Sequence, residues 1–157
     1  MHAFVSSRLD YCNALYAGLP SKAIHCLQLV QKSTARVVNN VSRFDHITPT
    51  LQELHWLLIR WRITFKVLVL VYKALKGLGP AYLQDLLAPY APARLLPSES
   101  GNTLVVPRFR SKLGERSFAF QAAIAWNVIP AKLRFSSLLV FKSHLKTYLF
   151  DFAFNTV

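Results

Sequence analysis

The most apolar stretch of the chain runs from Leu57 to Leu75, and four cations interrupt it: Arg60, Arg62, Lys66 and Lys73. A membrane-spanning helix needs ~20 predominantly apolar residues. Each Arg or Lys near its centre costs roughly 3 kcal/mol. The longest unbroken run here, Val67 to Tyr72, is therefore a core segment and not a span. Its β-branched residues would also suit a strand, but the flanks 60–66 and 72–76 favour helix. The reading is a helix over about Leu58 to Lys76. Lys73 and Lys76 complement its C-terminal dipole, and Gly77 supplies the stop.

The same reasoning extends along the chain. Phe4, Val5, Leu9, Cys12, Leu15 and Tyr16 recur at helical spacing, so residues 2–18 read as one helix stopped by Gly18 and Pro20. Ser21 can cap the next helix, whose stripe is Ile24, Leu27, Val30, Thr34 and Val37/Val38; Asn39 and Asn40 end it. Thr48 is a candidate cap for a short helix over about Pro49 to Leu54, because proline suits the first helical position. Pro80 to Leu87 reads as another short helix. Residues 88–103 are rich in Pro and Ser and read as a loop. A short strand is expected at Leu104–Val106, before Pro107. Residues 116–127 read as a helix stopped near Pro130. Ser136 or Ser137 is expected to cap the last helix, with a stripe of Phe141, Leu145, Tyr148, Leu149 and Phe152. The expected fold is mostly α: an irregular bundle of about six helices, a Pro/Ser-rich loop and minimal β. The expected organisation is a helical region at 1–87, a linker at 88–115 and C-terminal helices at 116–157, forming one folded unit.

Charge narrows the partners. The 157 residues carry 19 Lys and Arg against 7 Asp and Glu, a net charge of +12, with a pI of about 10.2. A domain this basic is drawn to polyanions, of which nucleic acid is the commonest. An acidic partner or the cytoplasmic membrane surface are the alternatives. Hydrophobic residues make up 53%, too many for disorder. A mean hydropathy of +0.28 leaves apolar surface for contact with further polypeptide. The two cysteines, Cys12 and Cys26, are too few for a disulfide framework and are expected as buried thiols.

Catalytic patterns are missing. Metal-dependent nucleotidyl transfer needs clustered carboxylates, and no two of the seven adjoin. There is no Gly-rich phosphate loop. The five histidines and two cysteines show no zinc-ligand spacing. No catalytic residue, metal site or cofactor is read from the sequence.

Several segments together carry a family resemblance. Ser7-Arg8-Leu9-Asp10-Tyr11-Cys12-Asn13-Ala14-Leu15, followed by Gly18-Leu19-Pro20, resembles the segment just after the polymerase core of LINE-type, jockey-like non-LTR retrotransposon reverse transcriptases. Leu27-Gln28-Leu29-Val30-Gln31-Lys32, Arg43 to Pro49, Leu54-His55-Trp56-Leu57 and Tyr72-Lys73-Ala74-Leu75 continue it. Val106-Pro107-Arg108, Gly114-Glu115-Arg116, Trp126-Asn127 and Phe141 to Phe150 complete it, in family order over nearly the whole chain. Leu58 stands where the family usually has Pro, and Ala125 and Val128-Ile129 replace residues of the usual Leu-Trp-Asn-Ser-Leu-Pro. The resemblance implies a thumb-like and post-thumb piece of an RNA-directed DNA polymerase. The family's aspartates and endonuclease lie upstream, so the piece itself is expected to be non-catalytic. It implies RNA or DNA bound through phosphates, contact with an upstream polymerase core, no membrane, and an intracellular, nuclear setting.

The candidate contact residues are Arg60, Arg62 and Lys66, beside Trp61 and Phe65, and Arg108, Arg110, Lys112 and Arg116, beside Phe109. Cations can hold phosphates while rings stack on bases. The alternative is a solvated face beside core aromatics. At the level of the whole chain, the alternative is a decayed structural remnant that packs on the missing core and has no activity of its own. Trp56 and Trp126 are expected as core anchors.

Overall fold

The computed structural model describes residues 2–91 and 102–155. They form eight α-helices: α1 (His2–Asp10), α2 (Ser21–Val38), α3 (Thr48–Glu53), α4 (Ile59–Leu75), α5 (Ala81–Asp85), α6 (Phe118–Val128), α7 (Ala131–Arg134) and α8 (Leu138–Asn155). Two 3-10 segments, Asn13–Tyr16 and Gly114–Arg116, join them. The fold is mostly α, as expected. The expected strand at 104–106 shrinks to one antiparallel bridge between Pro89 and Leu104. Most of the Pro/Ser-rich loop, residues 92–101, lies outside the described residues.

Helix α4 is the axis. Val67, Leu68, Val71 and Tyr72 are buried against Ala122, Ala123 and Trp126 of α6 and Phe141, Leu145 and Leu149 of α8. Trp126 and Phe141 are almost wholly enclosed. Tyr72 stacks on Phe141 with ring centroids 4.4 Å apart, and its hydroxyl donates to the Ser136 carbonyl. Each such side chain contributes about 1.5–3 kcal/mol by leaving water. A smaller cluster of Ala35, Ile47, Leu51 and Trp56 joins α2 to α3. Both expected tryptophan anchors are therefore buried, and α8 presents its expected stripe except at Phe152, which is 44% exposed.

The return from the 92–101 region is pinned by side chains. The Asn127 amide accepts from the Leu104 N–H at 2.9 Å and donates to the Leu104 carbonyl at 2.8 Å. It thus satisfies both backbone groups as a neighbouring strand would. Trp126 Nε1 donates to the Asn102 carbonyl at 2.7 Å. Arg134, 5% exposed, donates to the carbonyls of Asn127 (3.1 Å) and Ile129 (2.8 Å) and lies over the Trp126 ring. Its burial lowers the guanidinium pKa from the ordinary value. An arginine in α7 thereby holds the C-terminal end of α6.

Four local expectations need correction. The single helix over 2–18 is broken: Cys12 adopts φ +50° and the 3-10 turn Asn13–Tyr16 follows. The break lets 13–16 pack on α4 while Asp10 pairs with Arg62, so tertiary contact overrides local spacing. On α2, Val30, Val37 and Val38 are exposed, while Gln31, Thr34 and Ala35 are buried. Helix α2 is turned toward its glutamines because they serve the start of α4. Gln31 Nε2 donates to the Leu57 carbonyl at 2.9 Å, and Gln28 Oε1 accepts from the Ile59 N–H at 2.9 Å. Gln28 therefore satisfies an orphan donor of the first turn of α4, a service no local residue performs. Both cysteines are exposed, Cys12 in the αL turn and Cys26 on the outer side of α2. Finally, Thr48 lies inside α3 and makes no capping bond; of the two serines expected at the start of the last helix, Ser136 donates its hydroxyl back to the Leu133 carbonyl, and Ser137 stands directly before α8.

Candidate nucleic-acid interface

The site starts from the broken first helix. Asp10, the last residue of α1, receives Arg62 Nη2 on Oδ2 at 3.3 Å. Asn13 Nδ2 approaches Asp10 Oδ1 at 3.4 Å. A carboxylate only accepts, so this contact fixes the amide with its oxygen pointing away from Asp10. Asn13 is 3% exposed. Asn13 Oδ1 and Arg62 Nη1 are both buried and have no hydrogen-bond partner among the described residues. Such groups cost about 1–3 kcal/mol while unsatisfied.

Asp10, Asn13 and Arg62 line a cavity of about 290 Å³. Helix α4 brings Arg62 and Lys66 to it, one turn apart on the same face. Helix α8 brings Lys146, and the α3–α4 connection brings His55. Leu57 and Phe65 form the apolar part of the lining. Three permanent cations thus face one carboxylate. His55 sits in the left-handed position that closes α3, with φ +52°, where glycine is usual. Its Nδ1 lies 3.1 Å from the Glu53 carbonyl, so Nδ1 carries a hydrogen. The ring stacks on Phe150 at 5.8 Å.

The seven expected contact residues do not act as one group. Arg62 and Lys66 line the cavity. Arg60, two residues before Arg62, points away from that face and lies over the Trp61 ring at 5.8 Å. Trp61 packs edge-on against Phe152 at 5.0 Å, so its ring belongs to the α4–α8 contact and not to a base platform. Arg108, Arg110 and Lys112 are exposed on the segment before the Gly114–Arg116 turn. That segment is tightly folded: Phe109 meets Phe120 edge-on at 6.1 Å. A Cβ on Gly114 would fall 2.7 Å from Phe109 Cβ. Arg116 is exposed too, and its backbone lies against Gly18, where an added Cβ would come 3.0 Å from Arg116 Cα. Since Asn13 lines the cavity and Gly18 meets Arg116, segment 13–18 borders both basic groups.

The sequence reading missed Asn13, Asp10, His55 and Lys146 as site residues. Lys146 was visible as a cation off the α8 stripe. Nothing in the spacing pointed to Asn13, because only the break at Cys12 turns it inward. Among the described residues, no group of three His, Cys, Asp or Glu side chains is placed to hold a metal ion. No helix among them is long and apolar enough to cross a membrane. Comparison with family models, with curated proteins and with solved structures finds no match.

Proposed function

We propose that the chain binds nucleic-acid backbones without catalysing a reaction, as a C-terminal helical piece of a LINE-type reverse transcriptase that helps to hold primer and template. The observation that carries the proposal is the convergence of Arg62, Lys66 and Lys146 on one cavity. Surface cations that serve only solubility stand apart in water, whereas these three come from two helices to one place. Phosphate oxygens are the acceptors that such an arrangement of cations fits. The exposed Arg108, Arg110, Lys112 and Arg116 extend the basic surface. Nuclear residence accompanies this reading.

A second reading has its own observation. Leu29, Val30 and Val37 on the outer side of α2 are each about half exposed or more. An apolar face on an otherwise packed helix suits contact with an upstream polymerase core, the structural-remnant alternative.

Fluorescence anisotropy of the purified chain with a labelled RNA hairpin and a DNA duplex, across a salt series, separates the two. Backbone binding predicts log K falling with log salt at a slope of about −0.7 to −0.9 per phosphate neutralised. A soluble, folded chain that binds neither probe overturns the proposal and leaves the packing role.

A further inference from the structure

We infer that the outer side of α2 is a docking surface for an amphipathic helix with acidic flanks, carried by a partner polypeptide. This rests on the second reading above, contact through α2, and names the chemistry of what makes the contact.

Helical geometry sorts the outer residues into two stripes. Cys26, Val30, Ser33 and Val37 follow one another at three- and four-residue steps, so they run along one line of the helix. All four are exposed. Lys22, Lys32 and Arg36 stand seven before, three after and seven after the exposed Leu29, and with it they form a second line beside the first. An apolar seam with charge along its flank is how one helix presents itself to another: the seam gives affinity and the flank chooses the partner. The chain at 42–45 adds an aromatic side chain. Arg36 donates to the carbonyls of Ser42 and Asp45 at 3.3 and 3.2 Å, which holds this segment beside the end of α2, and Phe44 stands there 93% exposed.

Charge then fixes the partner. The 18 residues of α2 include no Asp or Glu. The carbonyls that Arg36 binds carry no formal charge to cancel its own. A second copy does not supply the counter-charge: an antiparallel pair of α2 helices sets the cationic flank against itself, and each chain carries +12. A nucleic-acid strand would meet the cations but leave Leu29, Val30 and Val37 against its charged backbone. A helix with apolar residues on its face and Glu or Asp on its flank satisfies both stripes.

The test uses the two exposed cysteines as local reporters. Cys26 lies in the seam, and Cys12 lies on the turn after α1. Their alkylation by iodoacetamide is followed by mass spectrometry on the full chain. The probe is a helical peptide with Leu on one face and Glu on its flanks. A second peptide has Lys for Glu, and a third scrambles the first so that no Leu face forms. With the Glu peptide at roughly ten times the Kd measured by anisotropy, Cys26 should react about tenfold more slowly and Cys12 at its old rate. The Lys and scrambled peptides should leave both rates unchanged. Lys22→Glu combined with Lys32→Glu should transfer the protection to the Lys peptide; circular dichroism checks that the variant folds. If it does not fold, the three peptides on the native chain still decide. Equal protection by the Lys peptide overturns the acidic partner and leaves contact through α2 standing. Equal protection by the scrambled peptide, or slowing of both cysteines alike, reduces the effect to bulk charge and overturns the site. Protection of Cys26 by phosphatidylserine vesicles and not by the Glu peptide overturns it in favour of a lipid surface. Protection that grows with chain concentration alone overturns it in favour of a second copy. Absence of protection by every probe overturns this inference together with the second reading, and leaves the nucleic-acid reading of the cavity untouched.

Discussion

Replacing Asp10 by Asn should tighten nucleic-acid binding. Asp10 has two opposed effects. It anchors Arg62 at 3.3 Å, and it places a negative charge in the lining of the cavity proposed to hold phosphate. A phosphate held in this cavity would lie roughly 6 Å from the Asp10 carboxylate, which shares its lining. At that separation, with an effective dielectric of roughly 40–80 for a half-open site, the repulsion is about 0.7–1.4 kcal/mol. Removing it predicts affinity about threefold to tenfold higher at low salt, with the gain shrinking as salt rises. The stability cost is small. The paired side chains are 18% and 44% exposed, so the ion pair contributes about 0–1 kcal/mol after solvent screening. That corresponds to a loss of roughly 2–4 °C in Tm at most. Asparagine keeps an oxygen to accept from Asn13. The assay is anisotropy with oligouridylate across a salt series, paired with a thermal melt. Unchanged or weaker binding, with the fold intact, would refute the assignment of this cavity to an anion.

The remaining expectations use the same assays. Lys66→Met and Lys146→Met should each weaken RNA binding and flatten the salt slope by about 0.7. Arg60→Met, on the opposite face of α4, should leave the slope as it is, and an equal loss there would mean that charge alone matters. Replacing Arg108, Arg110 and Lys112 with Ala should weaken binding to all sequences alike, because phosphate contacts carry no base information; an unchanged affinity removes those three from the interface. Gln31→Leu should cost about 2–3 kcal/mol, since it strands the Leu57 carbonyl and disturbs the Gln28 contact with Ile59. A Tm drop of less than about 3 °C would show that the glutamine pair does not hold α2 to α4.

Periodicity located α4 and α8 well because their burial is decided by apolar spacing. It failed where a polar side chain decides. On α2 the valines looked like the inner face, yet Gln28 and Gln31 face inward because the chain at 57–59 needs hydrogen-bond partners. Spacing carries no record of a need that lies some thirty residues away. The break at Cys12 is of the same kind: the sequence over 2–18 would continue as helix, and only the packing of 13–16 on α4 and the Asp10–Arg62 pair end it. The candidate site was half legible for this reason. Arg62 and Lys66 could be picked out as cations in an apolar helix, and Arg60 could have been separated from them by helical geometry alone. Asn13 and Lys146 join them only once three helices meet.

The two readings of the chain draw on different surfaces, and α2 shows how they fit together. Its glutamines face inward and fix the start of α4, three residues before Arg62. Its outer side is left with Leu29, Val30 and Val37 in solvent. If that face were core that had failed to pack, the inner face should be loose as well. Instead Gln31 is fully buried and doubly hydrogen-bonded, and Ala35 is closed off against Ile47, Leu51 and Trp56. A well-determined inner face beside an apolar outer one is the pattern of a helix with a second partner. The basic cavity opens among α1, α4 and α8, not on the outer side of α2. Docking of a partner on the outer side of α2 would therefore leave the cavity open, so the two proposed roles are compatible in one chain.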